Sequence, residues 1–391
     1  MNAIPSWLRV RGTHDAGRVG MVELFFDLVF VFAVTQLSHA LLGQMTLMGA
    51  LQVGMLMLGT WWVWIYTSWT TNWLDPERMP VRLMLFGLMG AGLVMSISIP
   101  GAFGQAGLAF AAAYVAQQVG RTAFVLWAIR GERESMRRSF RRIMAWLSLS
   151  AVFWLAGGLA EPNARLGWWA LALAVETAAP LVYYWTPGLG RSQLSDWDID
   201  PNHMAERCAL FVIIALGESL LVTGATVSQH AHWTAATIAG GLAAFIGTLA
   251  MWWIYFDTGA ARGHHHMAHS AQPGKYARNA YTYLHLLIVA GIVVCAVADE
   301  LVLVHPDHAD TAAILVILGG PALYLVGTAA FKWATSTRRL PPLSHLAGLG
   351  LLALLVVPAV MHWASALTLG MATTAVLVFV AVWEYFAVRR A

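Results

Sequence analysis

Apolar blocks of about twenty residues recur from one end of this chain to the other, and they leave it few ways to fold. A helix of that length crosses the roughly 30 Å hydrocarbon core of a bilayer, and within that core only structures that satisfy every backbone N–H and C=O internally persist. The blocks fall at 22–42, 46–68, 82–99, 106–129, 142–160, 167–186, 205–225, 235–257, 281–304, 311–331, 346–363 and 367–388; Pro358 interrupts the short eleventh. Of 391 residues, 59% are hydrophobic and 11% charged, too few charges for a water-soluble surface, where about 25% is usual. The expected fold class is all-α: a polytopic integral membrane helix bundle of about 12 transmembrane helices, with the lipid bilayer as its surroundings. Arg9, Arg11 and Arg18 precede the first block as they would in a signal peptide, but that block is too long for a cleaved segment and carries Glu23 and Asp27, so it reads as a retained span.

Basic residues supply an independent test of the span count, because Lys and Arg accumulate in cytoplasmic loops. With the N-terminus inside, 20 of the 23 Lys and Arg are cytoplasmic, Arg121 and Arg207 lie within spans, and Arg165 alone is outside. A missed helix would invert every later loop, so both termini are expected in the cytoplasm. Trp61, Trp62, Trp64, Trp69 and Trp73 cluster toward one end of the second block and Trp168 and Trp169 open the sixth, as interfacial anchors do. The net charge of +3 and the absence of a basic patch with interleaved aromatics argue against nucleic-acid binding. Cys208 and Cys295 both sit in apolar blocks and imply no disulfide framework.

Aligning the halves pairs Glu23 with Glu206, Trp64, Ile65 and Tyr66 with Trp253, Ile254 and Tyr255, Gly120 and Phe124 with Gly327 and Phe331, and Glu176 with Glu384. Six spans per half is an even number, so the halves would be parallel repeats related by an axis along the membrane normal. This gives a cytoplasmic N-terminal segment at 1–21, a first six-helix repeat at 22–186, a cytoplasmic linker at 187–204 and a second repeat at 205–388.

Ionisable groups inside spans cost roughly 2.5 to 3.5 kcal/mol each on insertion, so they face the bundle interior and mark either a pathway or a structural pair. Glu23 and Asp27 are four residues apart on one face of the first span; they are a cation or proton site, or a structural pair with Arg121, whose depth in the fourth span matches that of Asp27. Glu206 and Arg207 head the seventh span, and Glu218 and Ser219 lie deeper in it, near the midplane, between Gly217 and Gly224, which share a face suited to a close helix crossing. Glu176, Glu384, His39, His285 and His362 are candidates of lower rank, the histidines more often packing residues than titrating ones. Outside the spans, His264, His265, His266 and His269 form a cytoplasmic cluster in which His265 and His269 have the i, i+4 spacing that lets two imidazoles share a metal, though no Cys is near and the segment is polar enough to be a solvated loop; His230, His232, His305, Asp307, His308 and Asp310 form an external one that, if its loops meet, attracts a divalent cation or senses pH. No P-loop, dinucleotide fingerprint, HExxH motif or Ser, His, Asp constellation is present, so neither enzymatic activity nor a cofactor is expected.

The run Val22, Glu23, Leu24, Phe25, Phe26, Asp27, Leu28, Val29, Phe30, continuing to Gln36, Leu37, Ser38 and His39, resembles the opening signature of the bacterial low temperature requirement protein A family. The run from Glu206 and Arg207 to Gly217, Glu218 and Ser219 resembles that family's second signature. The resemblance implies a multi-pass protein of the bacterial inner membrane, named for a growth phenotype in the cold and without an established substrate. A fainter similarity joins the first span to potassium channels of six-helix repeats that carry a Phe, Ser, Asp motif; Phe26 and Asp27 fit it, without the Ser between them. The expectation is therefore an ion- or proton-coupled secondary transporter handling cations or protons. The alternatives are a cation channel built from two six-helix repeats and a non-transporting membrane sensor or scaffold.

Overall fold

A computed structural model describes residues 6–10, 18–193, 199–229, 232–257, 278–336 and 340–389. The histidine cluster from His264 to His269 and His230 lie outside the described residues. Among those residues there are no strands, only two isolated bridges, and the helices are α1 (Met21–Gly43), α2 (Leu47–Trp73), α3 (Met79–Ser98), α4 (Gly107–Val115), α5 (Arg121–Ala128), α6 (Glu134–Leu159), α7 (Pro162–Leu181), α8 (Pro201–Ser228), α9 (Ala235–Tyr255), α10 (His285–Val304), α11 (Thr311–Ala334), α12 (Leu343–Val360) and α13 (Ala366–Arg389). A π turn at Ala116–Gly120 joins α4 to α5 as one rod, and another at Arg278–Leu284 leads into α10.

Twelve rods thus lie at the twelve apolar blocks. Ten are long and apolar enough to cross a membrane. The other two are the α4–α5 rod, which the π turn divides, and α7, which is 20 residues long, about 30 Å, but diluted by Arg165 and Glu176. The sixth span ends at Leu181 rather than 186, because Tyr183 and Tyr184 adopt left-handed backbone angles (φ 55° and 50°) that no α-helix continues.

The chain divides into two compact units, Met1–Ala40 with Leu47–Glu206 and Leu41–Thr46 with Arg207–Ala391. In the first, α6 packs on α7 and α4, and α3 on α4. In the second, α10 and α11 form the closest pair, with α9 against α13 and α12 against both α11 and α13. Glycine makes the α10–α11 crossing possible: a Cβ on Gly291 would stand 2.5 Å from the Tyr324 backbone nitrogen, and one on Gly320 or Gly327 would stand 2.8 Å from that of Cys295 or Ile288. Gly217 and Gly224 have no such role, since a Cβ on either meets nothing within 4 Å, which corrects their assignment to a close crossing.

Side chains sort as a bilayer requires. On α1, Leu24, Phe25 and Leu28 are 37%, 51% and 54% exposed, whereas Glu23, Phe26 and Asp27 are fully buried. Apolar groups face outward and the carboxylates inward, the reverse of a soluble helix. Arg165, the one basic residue that breaks the charge rule, is buried and donates to the carbonyls of Ala102, Gly104, Gly157, Gly158 and Ala160. It satisfies the turn that follows α3 and the C-terminal end of α6, where carbonyls have no intrahelical donor. Gly107 leaves the space, because a Cβ there would overlap the guanidinium.

Candidate functional site

Four groups of buried carboxylates emerge, two in each unit, and their hydrogen-bond partners separate them. In the first unit Glu23 accepts from Arg9 Nη2 at 2.6 Å, from the Gly20 N–H at 2.8 Å and pairs with His203 Nε2 at 2.8 Å. Arg9 also donates to the Thr71 carbonyl, and Asn72 reaches His203 Nδ1 at 3.2 Å. The segment carrying Arg9 is held to the end of α2 by backbone bonds between Arg9 and Trp73 and between Asp75 and Trp7. Asp27 accepts from Trp64 Nε1 at 2.8 Å. Glu206 accepts from the Val19 N–H at 3.2 Å. Arg207, the next residue on α8, is fully buried.

Arg121 is not the partner of Glu23 or Asp27, contrary to the pairing weighed from its depth. Its guanidinium donates to the Val63 carbonyl, Thr67 Oγ1 and Gln118 Oε1 and lies over the Tyr66 ring at 5.3 Å. Gln118 in turn donates to Glu176, which also accepts from Tyr114 Oη and Ser150 Oγ at 2.5 Å each and Trp154 Nε1 at 3.0 Å. Four donors saturate both oxygens of Glu176. The π turn builds this cluster, since its wider winding brings Gln117, Gln118 and Arg121 all to the buried side of one rod.

In the second unit Glu384 pairs with Lys332 Nζ at 2.5 Å and with His345 Nδ1 at 3.4 Å, and accepts from Ser344. Lys332, assigned to a cytoplasmic loop by the sequence, belongs to the last turn of α11 and also donates to the Ile254 carbonyl. His285 is a packing residue: Nδ1 contacts the Ala280 carbonyl, Nε2 bonds the Tyr255 hydroxyl, and the Phe331 ring lies 4.6 Å away. His39 and His362 are exposed. His308 and His362 stack with ring centroids 6.4 Å apart, while Asp310 is spent capping α11 through the Ala313 N–H. Among the described residues no group of three or more His, Cys, Asp or Glu is arranged to hold a metal.

Glu218 is buried in α8. Its neighbour Ser219 reaches a carboxylate that the sequence reading does not single out: Ser219 Oγ donates to Asp299 Oδ2 at 3.2 Å and lies 3.3 Å from Thr248 Oγ1. Ser219 is the only hydrogen-bond partner of Asp299 among the described residues. Asp299 is half-buried, and it lines a cavity with about 20 Å³ of space for the centre of a water-sized particle, enough for one water. Ile317 and Pro321 of α11 and Thr373 and Thr374 of α13 line the same cavity. Cys295 is the only other titratable side chain on its wall among the described residues. The signal that could have found Asp299 is plain: an acid inside the apolar run of the ninth block. Its place five residues before the end of α10, beside Glu300, makes it look interfacial.

The comparisons with known proteins agree with the two signatures. The family described as "Bacterial low temperature requirement A protein (LtrA)" matches residues 18–382. An uncharacterised protein of Rhizobium meliloti (strain 1021) is 43% identical over 386 residues, covering 98% of this chain and 92% of the relative. No solved structure matches.

Proposed function

We propose, for a chain that belongs to the bacterial low temperature requirement A family, that it is an ion- or proton-coupled secondary transporter in which Asp299 takes the coupling ion. The observation that carries this reading is the contrast between Asp299, with one donor at 3.2 Å beside a water-sized cavity, and Glu176, with four donors. A charged carboxylate in a low-dielectric interior costs far more than folding can spare unless it is hydrogen-bonded, paired or neutralised. Glu23, Glu176 and Glu384 meet that demand with protein donors. Asp299 meets it by taking up a proton or a cation, and a group that gains and loses such a particle is what coupled transport requires. Space for a single particle suits occupancy by one ion per cycle better than the file of ions in a channel. Ser219 is the residue of the second signature that touches this carboxylate; Glu218, one residue earlier and turned about 100° around α8, is the second candidate there.

The same reading includes two parallel repeats, 22–186 and 205–388, in the bacterial inner membrane with both termini cytoplasmic. Corresponding contacts support the repeats. Glu176 and Glu384 each stand five residues before the end of the last helix of their unit. Tyr114 and Gln118 of the fourth rod and Ser150 and Trp154 of α6 surround the first; Lys332 of α11 and Ser344 and His345 of α12 surround the second. Arg121 and Lys332 donate to carbonyls of α2 and α9, those of Val63 and Ile254. Gly120 and Gly327 do not correspond, the first being open and the second tightly packed.

In proteoliposomes the protein should carry proton or Na⁺ flux down an imposed gradient. Asp299→Asn should abolish it and Glu176→Gln should leave it intact per folded molecule. Wild-type flux in the Asp299→Asn protein overturns the reading.

A further inference from the structure

The oxygen chemistry around Asp299 identifies the ion more closely. We infer that the cavity beside Asp299 is a binding site for a dehydrated small monovalent cation of the Na⁺ or Li⁺ class, an inference that rests on the transport reading and deepens it.

Three observations carry it. First, the hydroxyls that line the cavity, Thr373 and Thr374, and those next to Asp299, Ser219 and behind it Thr248, have their protons committed. Thr248 Oγ1 donates to the Ala244 carbonyl at 3.0 Å, Thr374 Oγ1 to the Ala243 carbonyl at 3.1 Å, Thr373 Oγ1 to the Gly370 carbonyl at 2.9 Å, and Ser219 to Asp299 itself. A hydroxyl anchored in this way has only lone pairs left to offer, so it presents oxygen to a cation and no proton to an anion. Second, Pro321 has no N–H, so the carbonyl of Ile317 loses the donor that a helix would otherwise supply four residues on, and both residues line the cavity. α11 continues through Pro321, and a backbone carbonyl left without its helical donor is a hard oxygen ligand, the kind used for alkali cations inside membranes. Third, charge and size select the ion. One carboxylate balances one positive charge, no Lys, Arg or His among the described residues lines the cavity, and a divalent ion would leave a net charge in an apolar interior. Space for one water-sized particle admits a bare Na⁺ and no hydration shell.

The test uses the full-length protein in detergent, with thermal unfolding followed in NaCl, LiCl, KCl and choline chloride at constant ionic strength. Na⁺ and Li⁺ should raise the midpoint saturably over choline and K⁺, as any ligand of the folded state does. Asp299→Asn should remove the shift. Pro321→Ala, which restores the helix bond and so cannot be blamed on misfolding, should weaken the apparent Na⁺ affinity by at least about tenfold. A wild-type midpoint equal in NaCl and choline chloride overturns the inference, as does a Na⁺ shift that survives in Asp299→Asn. The two readings fail separately. Asp299-dependent proton flux with no Na⁺ response removes the cation and keeps the transporter; Na⁺ binding without flux of any kind keeps the site and removes the transporter.

Discussion

Glu176 accepts hydrogen bonds from four side chains and Asp299 from one, although both are acids within rods of the bundle. Removing a saturated acid strands its donors, and each buried donor left without an acceptor costs about 1–3 kcal/mol. Glu176→Ala should therefore lower the stability of the protein by about 3 kcal/mol or more, read as a fall in unfolding midpoint in detergent. Asp299→Asn keeps an amide oxygen that can accept from Ser219 and should leave the midpoint in choline chloride within about 0.5 kcal/mol of wild type. Arg165→Met should behave like Glu176→Ala, because five carbonyls, in the turn after α3 and at the end of α6, lose their donor. At this scale the sequence was only partly legible. It pointed to Ser219 and to Glu23, Asp27, Glu176, Glu218 and Glu384 but not to Asp299, and it weighed Arg121 as a partner of Glu23 or Asp27 by depth alone. Depth fixes the height of a side chain in a bundle and says nothing of its direction around the helix axis. The actual partners of Glu23, Arg9 and His203, come from segments 14 and 180 residues away, a proximity that only the folded chain creates.

Among the elements, hydropathy located all twelve rods, but it started the fifth at 142, whereas α6 begins at Glu134, because the first two turns of α6 are rich in arginine and lower the apolar average. It extended the sixth span past Leu181 because the side chains of Val182 to Trp185 are apolar, whereas the left-handed angles of Tyr183 and Tyr184 end the helix. It could not see the π turn at Ala116–Gly120, since one extra residue per turn leaves an apolar average unchanged while redirecting Gln118 and Arg121. Glycines were misread for a related reason: spacing shows which glycines share a face, and only packing shows which face meets a helix. The crossing of α10 and α11 depends on Gly291, Gly320 and Gly327, not on Gly217 and Gly224. Gly320→Val should cost about 1–3 kcal/mol by driving α10 from α11, and flux should fall with it because Asp299 rides on α10. Gly217→Ala, with nothing within 4 Å, should be tolerated within about 0.5 kcal/mol. Urea or thermal melts of the two variants side by side test the distinction.

For the whole molecule, the charge pattern predicts that Asn163, at the start of α7, and His308 lie on one side of the membrane and Gly131 and Leu340 on the other. Cys208 and Cys295 are both buried, so an impermeant maleimide reads only introduced cysteines. Asn163→Cys and His308→Cys should label in intact cells, and Gly131→Cys and Leu340→Cys only after permeabilisation; labelling of all four in intact cells contradicts the topology. Each six-helix unit then has its own multiply hydrogen-bonded glutamate, and the second unit also has, in Asp299, a carboxylate with room beside it. The most direct measurement of that difference needs no knowledge of the transported solute: charge displacement on a solid-supported membrane when the bathing solution is switched to Na⁺ or to lower pH. Wild type and Glu176→Gln should both give a saturable transient current that Asp299→Asn lacks. An identical transient in Asp299→Asn, or none in wild type, contradicts the account.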